Sequence, residues 1–316
     1  MMDNDNDPSF LDLFDGVGSL NFNDDNGNFC LAASKYVSDI EFDNDLKSFR
    51  GISILSSNIC SLNAKFDNFS IYLEFIKSQS VLPTIICFSE TWLSSDDDVS
   101  IFNISDYTLF TQGKTASSRG GLATYVHNSL KSNIVYSELD EELCEGLFIE
   151  ITDTYGKNFI ISDVYRPPRY HSQVIISFIE NFQWRINKLG KFARELVMVG
   201  DYNIDLLKVY CNHLYANYLE TKCSLSLLPR NTHPTRFSAS LHILIDNAFC
   251  RLSCDLSEVY AGILSHTFSD HHPYVVIIPL FCRHKHKKQS HVFTRKMTDS
   301  GFINFKSNFI NTDVSK

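Results

Sequence analysis

The chain has 316 residues, 44% hydrophobic and 13% aromatic, enough apolar surface for one large core or two small ones, which excludes disorder throughout. No run of 18 apolar residues occurs, and MMDNDNDPSF at the start lacks the basic-then-apolar pattern of a leader, so the reading is a soluble intracellular protein with no membrane partner. The net charge of −9 argues at first against a polyanionic substrate, yet residues 1–50 alone hold eleven acids against Lys35, Lys47 and Arg50, and residues 281–316 hold eight Lys or Arg against Asp299 and Asp313. The mildly acidic stretch between them suits a site that gathers carboxylates around a cation, which then attracts phosphate. Nine cysteines, an odd number with no C-x-x-C pair, read as reduced thiols. A zinc site from Cys250 and Cys254 with His284, His286 and His291 fits no common spacing and is set aside.

Residues 1–49, rich in Asp and Asn without a sustained apolar period, are expected to form a poorly ordered acidic head. A single domain is expected over 50–281. It begins with a strand at ISIL (52–55), followed by helical spacing of Phe66, Phe69, Leu73 and Ile76 over 65–79. Strands follow at TIICF (84–88), LATYV (122–126), LFIEI (147–151) and FIISDVY (159–165). Ile175, Ile179, Phe182, Ile186 and Leu189 predict a helix over 172–190, ELVMVG a strand over 195–200, and a weaker pattern a helix over 212–224. Strands at ILID (243–246) and YVVIIPL (274–280) close the domain, and 282–316 reads as a basic linker or tail. This order predicts a mixed α/β fold with two sheets packed together and helices outside.

Polar residues fall at, or just beyond, the ends of those strands: Asn58, Glu90, Tyr165, Asp201 with Asn203, Asp246, and Asp270 with His271. That is where α/β folds present reactive groups, on loops held by rigid strands. Singly, each has an ordinary reading. Glu90 is an exposed carboxylate, GDYN a turn, and Tyr165 a cap before a proline-stiffened loop. Asp246, directly after an apolar run, demands a partner if buried, and His271 suits it, since an Asp fixes a histidine's tautomer and stabilises its cation. Phosphodiester hydrolysis would explain the whole set: a hard divalent cation on few carboxylates, an acid that orients water, and donors around the phosphoryl oxygens.

SSNICSL, SETWL, RGGLATYV, YRPP, GDYNID, THPTRF followed by LIDN, and SDHHP occur in the order and approximate spacing of the exonuclease-endonuclease-phosphatase superfamily. The wording resembles the apurinic-endonuclease-like domain of non-LTR retrotransposons over about residues 50–280. The resemblance implies a four-layered α/β sandwich and a Mg²⁺-dependent phosphodiesterase, with Mn²⁺ as a substitute, that nicks DNA to leave a 3′-hydroxyl for reverse transcription. It implies that Glu90 binds the metal, with Asn58 beside it and Asp270 near the same pole. Asp201 would orient or activate water, Asn203 would hydrogen-bond the scissile phosphate, and Tyr165 would contact the phosphate or the leaving oxygen. His271, paired with Asp246, would polarise a phosphoryl oxygen. Three positions depart from the pattern: Cys60 stands where many relatives carry Arg, Tyr202 replaces a Phe, and His272 doubles the histidine. The chain stops at Lys316 without a reverse transcriptase, which is therefore the expected covalent neighbour, and the nucleus is the expected place of action. The competing expectations are another phosphodiester substrate (a lipid, an inositol phosphate or RNA) and a silent remnant that only binds.

Overall fold

The buried strands obey a two-residue period with both faces covered. In β2 (Gly51–Asn58), Ile52 and Ile54 enter one core and Leu55 another; in β3 (Ile85–Ser89), Ile85 and Cys87 enter the first and Ile86 and Phe88 the second. Two-sided burial is why these runs read as unbroken apolar stretches rather than alternating ones. The computed structural model describes residues 34–49, 51–79, 82–114, 119–140, 143–190, 195–238 and 241–279.

Before β2 come β1 (Lys35–Val37) and α1 (Asp39–Ser48); α2 (Leu62–Ser78) lies between β2 and β3. There follow β4 (Tyr107–Gln112), β5 (Leu122–His127), β6 (Lys131–Asp140), β7 (Cys144–Thr152), β8 (Asn158–Tyr165), α3 (Ser172–Leu189), β9 (Leu196–Asp201) and α4 (His213–Ser224). The last strands are β10 (Leu228–Pro229), β11 (Arg236–Ser238), β12 (Leu241–Ile243), β13 (Asp246–Arg251), β14 (Tyr260–Leu264) and β15 (Tyr274–Pro279). One sheet runs β1-β14-β15-β2-β3-β5-β4 and the other β10-β13-β9-β8-β7-β6, with β11-β12 a separate ribbon. A core of Ile54, Ile85, Leu147, Ile161, Val197 and Val276 lies between the sheets. Phe69, Leu73 and Ile76 of α2, with Phe42 and Leu46 of α1, cover the seven-stranded sheet. Ile175, Phe178 and Phe182 of α3, with Tyr218 and Leu219 of α4, cover the six-stranded one. The result is the four-layered sandwich, helix, sheet, sheet, helix.

Two expectations change. Residues 34–49 are not a disordered head: β1 pairs in parallel with β14, and α1 buries Phe42 and Leu46. Two apolar positions four residues apart are too few for a visible period, but the Ser38–Glu41 capping box, present in the structure, is a local start signal that the sequence carries. Second, Asp246 does not close a strand. β12 stops at Ile243 and Asp246 opens β13, paired antiparallel with Asp201 of β9. The tail 282–316 and residues 1–33 lie outside the described residues. Among those described, no helix is long and apolar enough to cross a membrane, and the seven cysteines are free thiols.

Candidate active site

Parallel pairing of β2 with β3 and of β8 with β9 puts Asn58 opposite Ser89, and Tyr165 opposite Asp201. The C-terminal ends of these four strands therefore meet at one pole, with the start of β13 and the loop before β15 completing it. The loops there are held in costly backbone. Among the described residues, seven non-glycine residues have left-handed φ, and five of them are Cys60, Ser61, Glu90, Trp92 and Asn203, all just past β2, β3 or β9. Such strain persists where surrounding structure enforces it, typically at functional sites. Here it is enforced by backbone bonds between loops: Ile59 to Ser89 at 3.0 Å, Ser61 to Glu90 at 2.9 Å and Trp92 to Gly120 at 2.8 Å. Gly200, with φ +135°, fits where a Cβ would lie 1.9 Å from the Val164 carbonyl oxygen, so the GD step of GDYN admits no side chain before the acid.

The two sheets are joined across the pole. Asn58 Nδ2 donates to Asp201 Oδ2 at 2.9 Å, while the Asn203 backbone N–H donates to Asp201 Oδ1 at 2.9 Å. Beneath them the Tyr274 hydroxyl of β15 accepts from Gly200 N–H at 2.8 Å and donates to the Asn247 carbonyl at 2.7 Å. His271 Nδ1 donates to Asp246 at 2.9 and 3.1 Å, and Thr235 Oγ1 donates to Asp246 Oδ2 at 2.7 Å. All of Asn58, Asp201, Asp246 and His271 are buried. Glu90 is buried too and receives Trp92 Nε1 at 3.3 Å.

Electrostatics follow from this packing. Burial alone would depress the His271 imidazolium, but the Asp246 carboxylate, with Asp201 and Asp270 behind it, raises its pKa to about 9. Burial, then the charge of Asp246, lifts Asp201 well above the usual carboxylate range against the pull of His271, Asn58 and Asn203. The Tyr165 hydroxyl is buried without a hydrogen bond of ordinary geometry, and burial together with the charges of Glu90 and Asp201 pushes its pKa up. One ligand atom each from Asp201, Asp246 and His271 lies within 4.8 Å of the others, compact enough for a metal. Within this group His271 Nδ1 is held by Asp246, while Asp201 is held by Asn58 and Asn203.

The eight residues singled out from the sequence thus converge, with different partners in three cases. The Asn58 amide oxygen takes the Cys60 N–H and thiol, both at 3.2 Å, and its nitrogen goes to Asp201. Asp270, half-exposed, is held by Arg236. Asn203 Nδ2 donates to the Arg166 carbonyl at 2.7 Å. The doubled histidine resolves cleanly: His272 bonds the Leu264 carbonyl through Nδ1 at 2.8 Å and is lowered by burial, while His271 alone pairs with Asp246. Sequence reasoning missed Thr235, Arg236 and the buried Arg166, although THPTRF and YRPP contained them. Arg166 donates to the carbonyls of Tyr202, Asn203 and Arg169 and so ties the GDYN turn to the YRPP loop.

Comparison with known proteins gives this geometry a family. The model of the Endonuclease/Exonuclease/phosphatase family matches residues 55–271. The chain belongs to that family. Its members are hydrolytic nucleases and phosphatases. A search of curated proteins finds no match. Among solved structures, the AP endonuclease LMAP from Leishmania major aligns with 79% of this chain and 97% of its own, at 16% identity and a TM-score of 0.59. The APE2 catalytic domain of Xenopus laevis aligns over 71% and 91%, at 16% identity and 0.52. An AP endonuclease from Archaeoglobus fulgidus aligns over 72% and 99%, at 16% identity and 0.50. At this identity the likeness is one of fold, and the family's fold is the sandwich described above.

Proposed function

We propose that the chain is a divalent-cation-dependent phosphodiesterase that nicks DNA, acting as the endonuclease of a non-LTR retrotransposon. The observation that carries the chemistry is the junction at the pole, where a relay of Asp246 and His271 faces Asp201 oriented by Asn58 and Asn203. Three buried carboxylates, Glu90, Asp201 and Asp246, exceed the positive charge of His271, while Arg166 spends its guanidinium on carbonyls. Hard oxygen donors in negative excess fit Mg²⁺, or Mn²⁺ in its place. Glu90 would hold it, with Asn58 beside it and Asp270 near the same pole, and the bound cation would supply charge neutralisation at the phosphoryl oxygens.

The residues of the chain do the rest. Asp201, with its elevated pKa, accepts a proton from the attacking water near neutral pH. Cationic His271 donates from Nε2 to a non-bridging oxygen, and Asp246 keeps it charged. Asn203 has a second amide hydrogen left for the same phosphate, and the unpartnered Tyr165 hydroxyl is available to the phosphate or the leaving oxygen. DNA as the substrate is supported by the similar folds of two proteins named as AP endonucleases and by the SETWL, YRPP and LIDN wording. The same wording supports a nuclear target and a reverse transcriptase as covalent neighbour.

Purified protein with Mg²⁺ is expected to convert supercoiled plasmid to open circles, to stop with chelator, and to lose about 10³-fold or more of its rate in Asp201→Ala. Intact plasmid alongside release of phosphate from a lipid or inositol headgroup would move the activity to another substrate. Equal traces for the wild type and Asp201→Ala would mark a silent binding module.

A further inference from the structure

Arg236 opens β11, and its backbone bridges that of His271. The preceding residue, Thr235, turns its hydroxyl inward to Asp246. Arg236 turns outward: Nε and Nη2 donate to a single oxygen, Asp270 Oδ2, at 2.8 and 2.6 Å. The two side chains are 40% and 48% exposed. One short segment thus bonds the buried Asp246 with one residue and sets a guanidinium at the rim with the next.

Three features make this cation a receiver of phosphate rather than a structural tie. Both donors converge on one oxygen, so the parallel two-oxygen fork that guanidinium prefers is not formed, and further N–H donors remain. An ion pair this exposed contributes about 0–1 kcal/mol, so exchanging Asp270 for another anion costs little. The pole sets the acids Glu90, Asp201, Asp246 and Asp270 against the single cation of His271, and Cys60, half-buried in the loop after β2, supplies no positive charge there. A polyanionic strand approaching that pole needs a positive group at its edge. The backbone bridge to His271 places Arg236 at the approach to the reacting phosphate.

The geometry points to Arg236 as a phosphate-contacting residue of this site, leaving Asp270 for a non-bridging oxygen of the bound nucleic-acid strand. This rests on the phosphodiesterase reading above. The fork is made to recognise phosphate.

The experiment uses the full chain and two variants, Arg236→Ala and Arg236→Lys, with thermal melting to show that the half-exposed substitution leaves the fold intact. Binding of a fluorescent DNA duplex is followed by anisotropy across a salt series, and plasmid nicking with Mg²⁺ is followed in parallel. Arg236→Ala should raise KM and Kd roughly tenfold, with kcat within a few-fold, and should reduce the slope of log Kd against log salt by about 0.9, the mark of one lost phosphate contact. Arg236→Lys should restore the slope but only part of the affinity. Wild-type Kd and slope in Arg236→Ala, or a lysine variant no better than alanine, overturns the inference. A wild type that binds duplex through Arg236 but never nicks defeats the nuclease reading alone; one that nicks with Arg236→Ala unaltered defeats this inference alone.

Discussion

Two kinds of buried polar group coexist in this protein, and they obey opposite rules. At the pole, Asn58, Asp201, Asn203, Thr235, Asp246 and His271 are buried and each is bonded to another member of the set or to a loop it fixes. In the layers behind it, Lys222 of α4 is fully buried with no hydrogen-bond partner for Nζ, which lies 3.4 Å from the Phe182 ring centroid and 4.5 Å from that of Phe249. Asp163 of β8 is buried between the sheets, with Thr124 donating to Oδ2 at 3.3 Å. At the pole the buried groups are bonded, and their pKa shifts are shared among neighbours: burial and the Asp246 charge raise Asp201, and Asp246 raises His271. The interior meets its charges by moving their pKa: burial pushes Lys222 well below its ordinary value and lifts Asp163 to about 8.

The comparison breaks most visibly at Asp246. Asp246→Asn should cut nicking by about 10²-fold, because the histidine loses the charge that keeps it a strong donor. It should also move the pH profile. A raised pKa means that His271 stays cationic up to about pH 9, so wild-type activity is expected to fall as pH rises through 9; in Asp246→Asn that fall should come at lower pH. Overlapping profiles for the two proteins would show that the pair is merely structural.

The interior charges should respond in stability rather than rate. For Asp163 the folded pKa of about 8 exceeds the unfolded value near 3.8, so the native state binds the extra proton between these limits and stability falls as pH rises through that window. Asp163→Asn should remove this decline and raise stability at pH 8 by on the order of 1–3 kcal/mol, read as a difference between melts at pH 5 and pH 8. Lys222 has the opposite sign. Its folded pKa is depressed, the unfolded state binds the extra proton, and stability rises as pH climbs toward the unfolded value of 10.5. Lys222→Met should flatten that rise and stabilise at pH 7 by about 1 kcal/mol or more, the smallest of these effects. A destabilised Lys222→Met would mean that the aromatic box needs its amine.

Why the pole was largely legible in the sequence, and these interior groups were not, follows from the same contrast. Glu90, Asp201 and Asp246 border apolar runs, so their chemistry shows as a break in hydrophobic pattern, and the order of motifs told which breaks belong together. Lys222 sits in a helix of weak periodicity, where nothing local distinguishes a buried lysine from a solvated one. Asp163 is an acid inside FIISDVY, and its burial depends on Thr124 of β5, a strand 39 residues earlier. The long apolar strands were readable because two-sided burial writes a dense local code. β1 was not, because three residues gain their place only by pairing with β14, more than 220 residues later. Yet this segment matters to the site: Ser34 bonds Thr232, and the Tyr36 hydroxyl donates to the Pro234 carbonyl at 2.9 Å, bracing the loop that presents Thr235 and Arg236. The partners of Asn58 and Asp270 were likewise hidden, since Asp201 is 143 residues from Asn58 and Arg236 is 34 from Asp270, and only the folded chain brings them together.

The central claim is that groups from two sheets act as one catalytic unit, and a double-mutant cycle on plasmid nicking tests it at the bond that joins them. Asn58→Ala and Asp201→Ala should each slow nicking, and the double variant should be no slower than Asp201→Ala alone, because Asn58 acts by orienting that carboxylate. Losses that simply multiply would mean the two residues work independently, and the cross-sheet centre described here would not be the machinery.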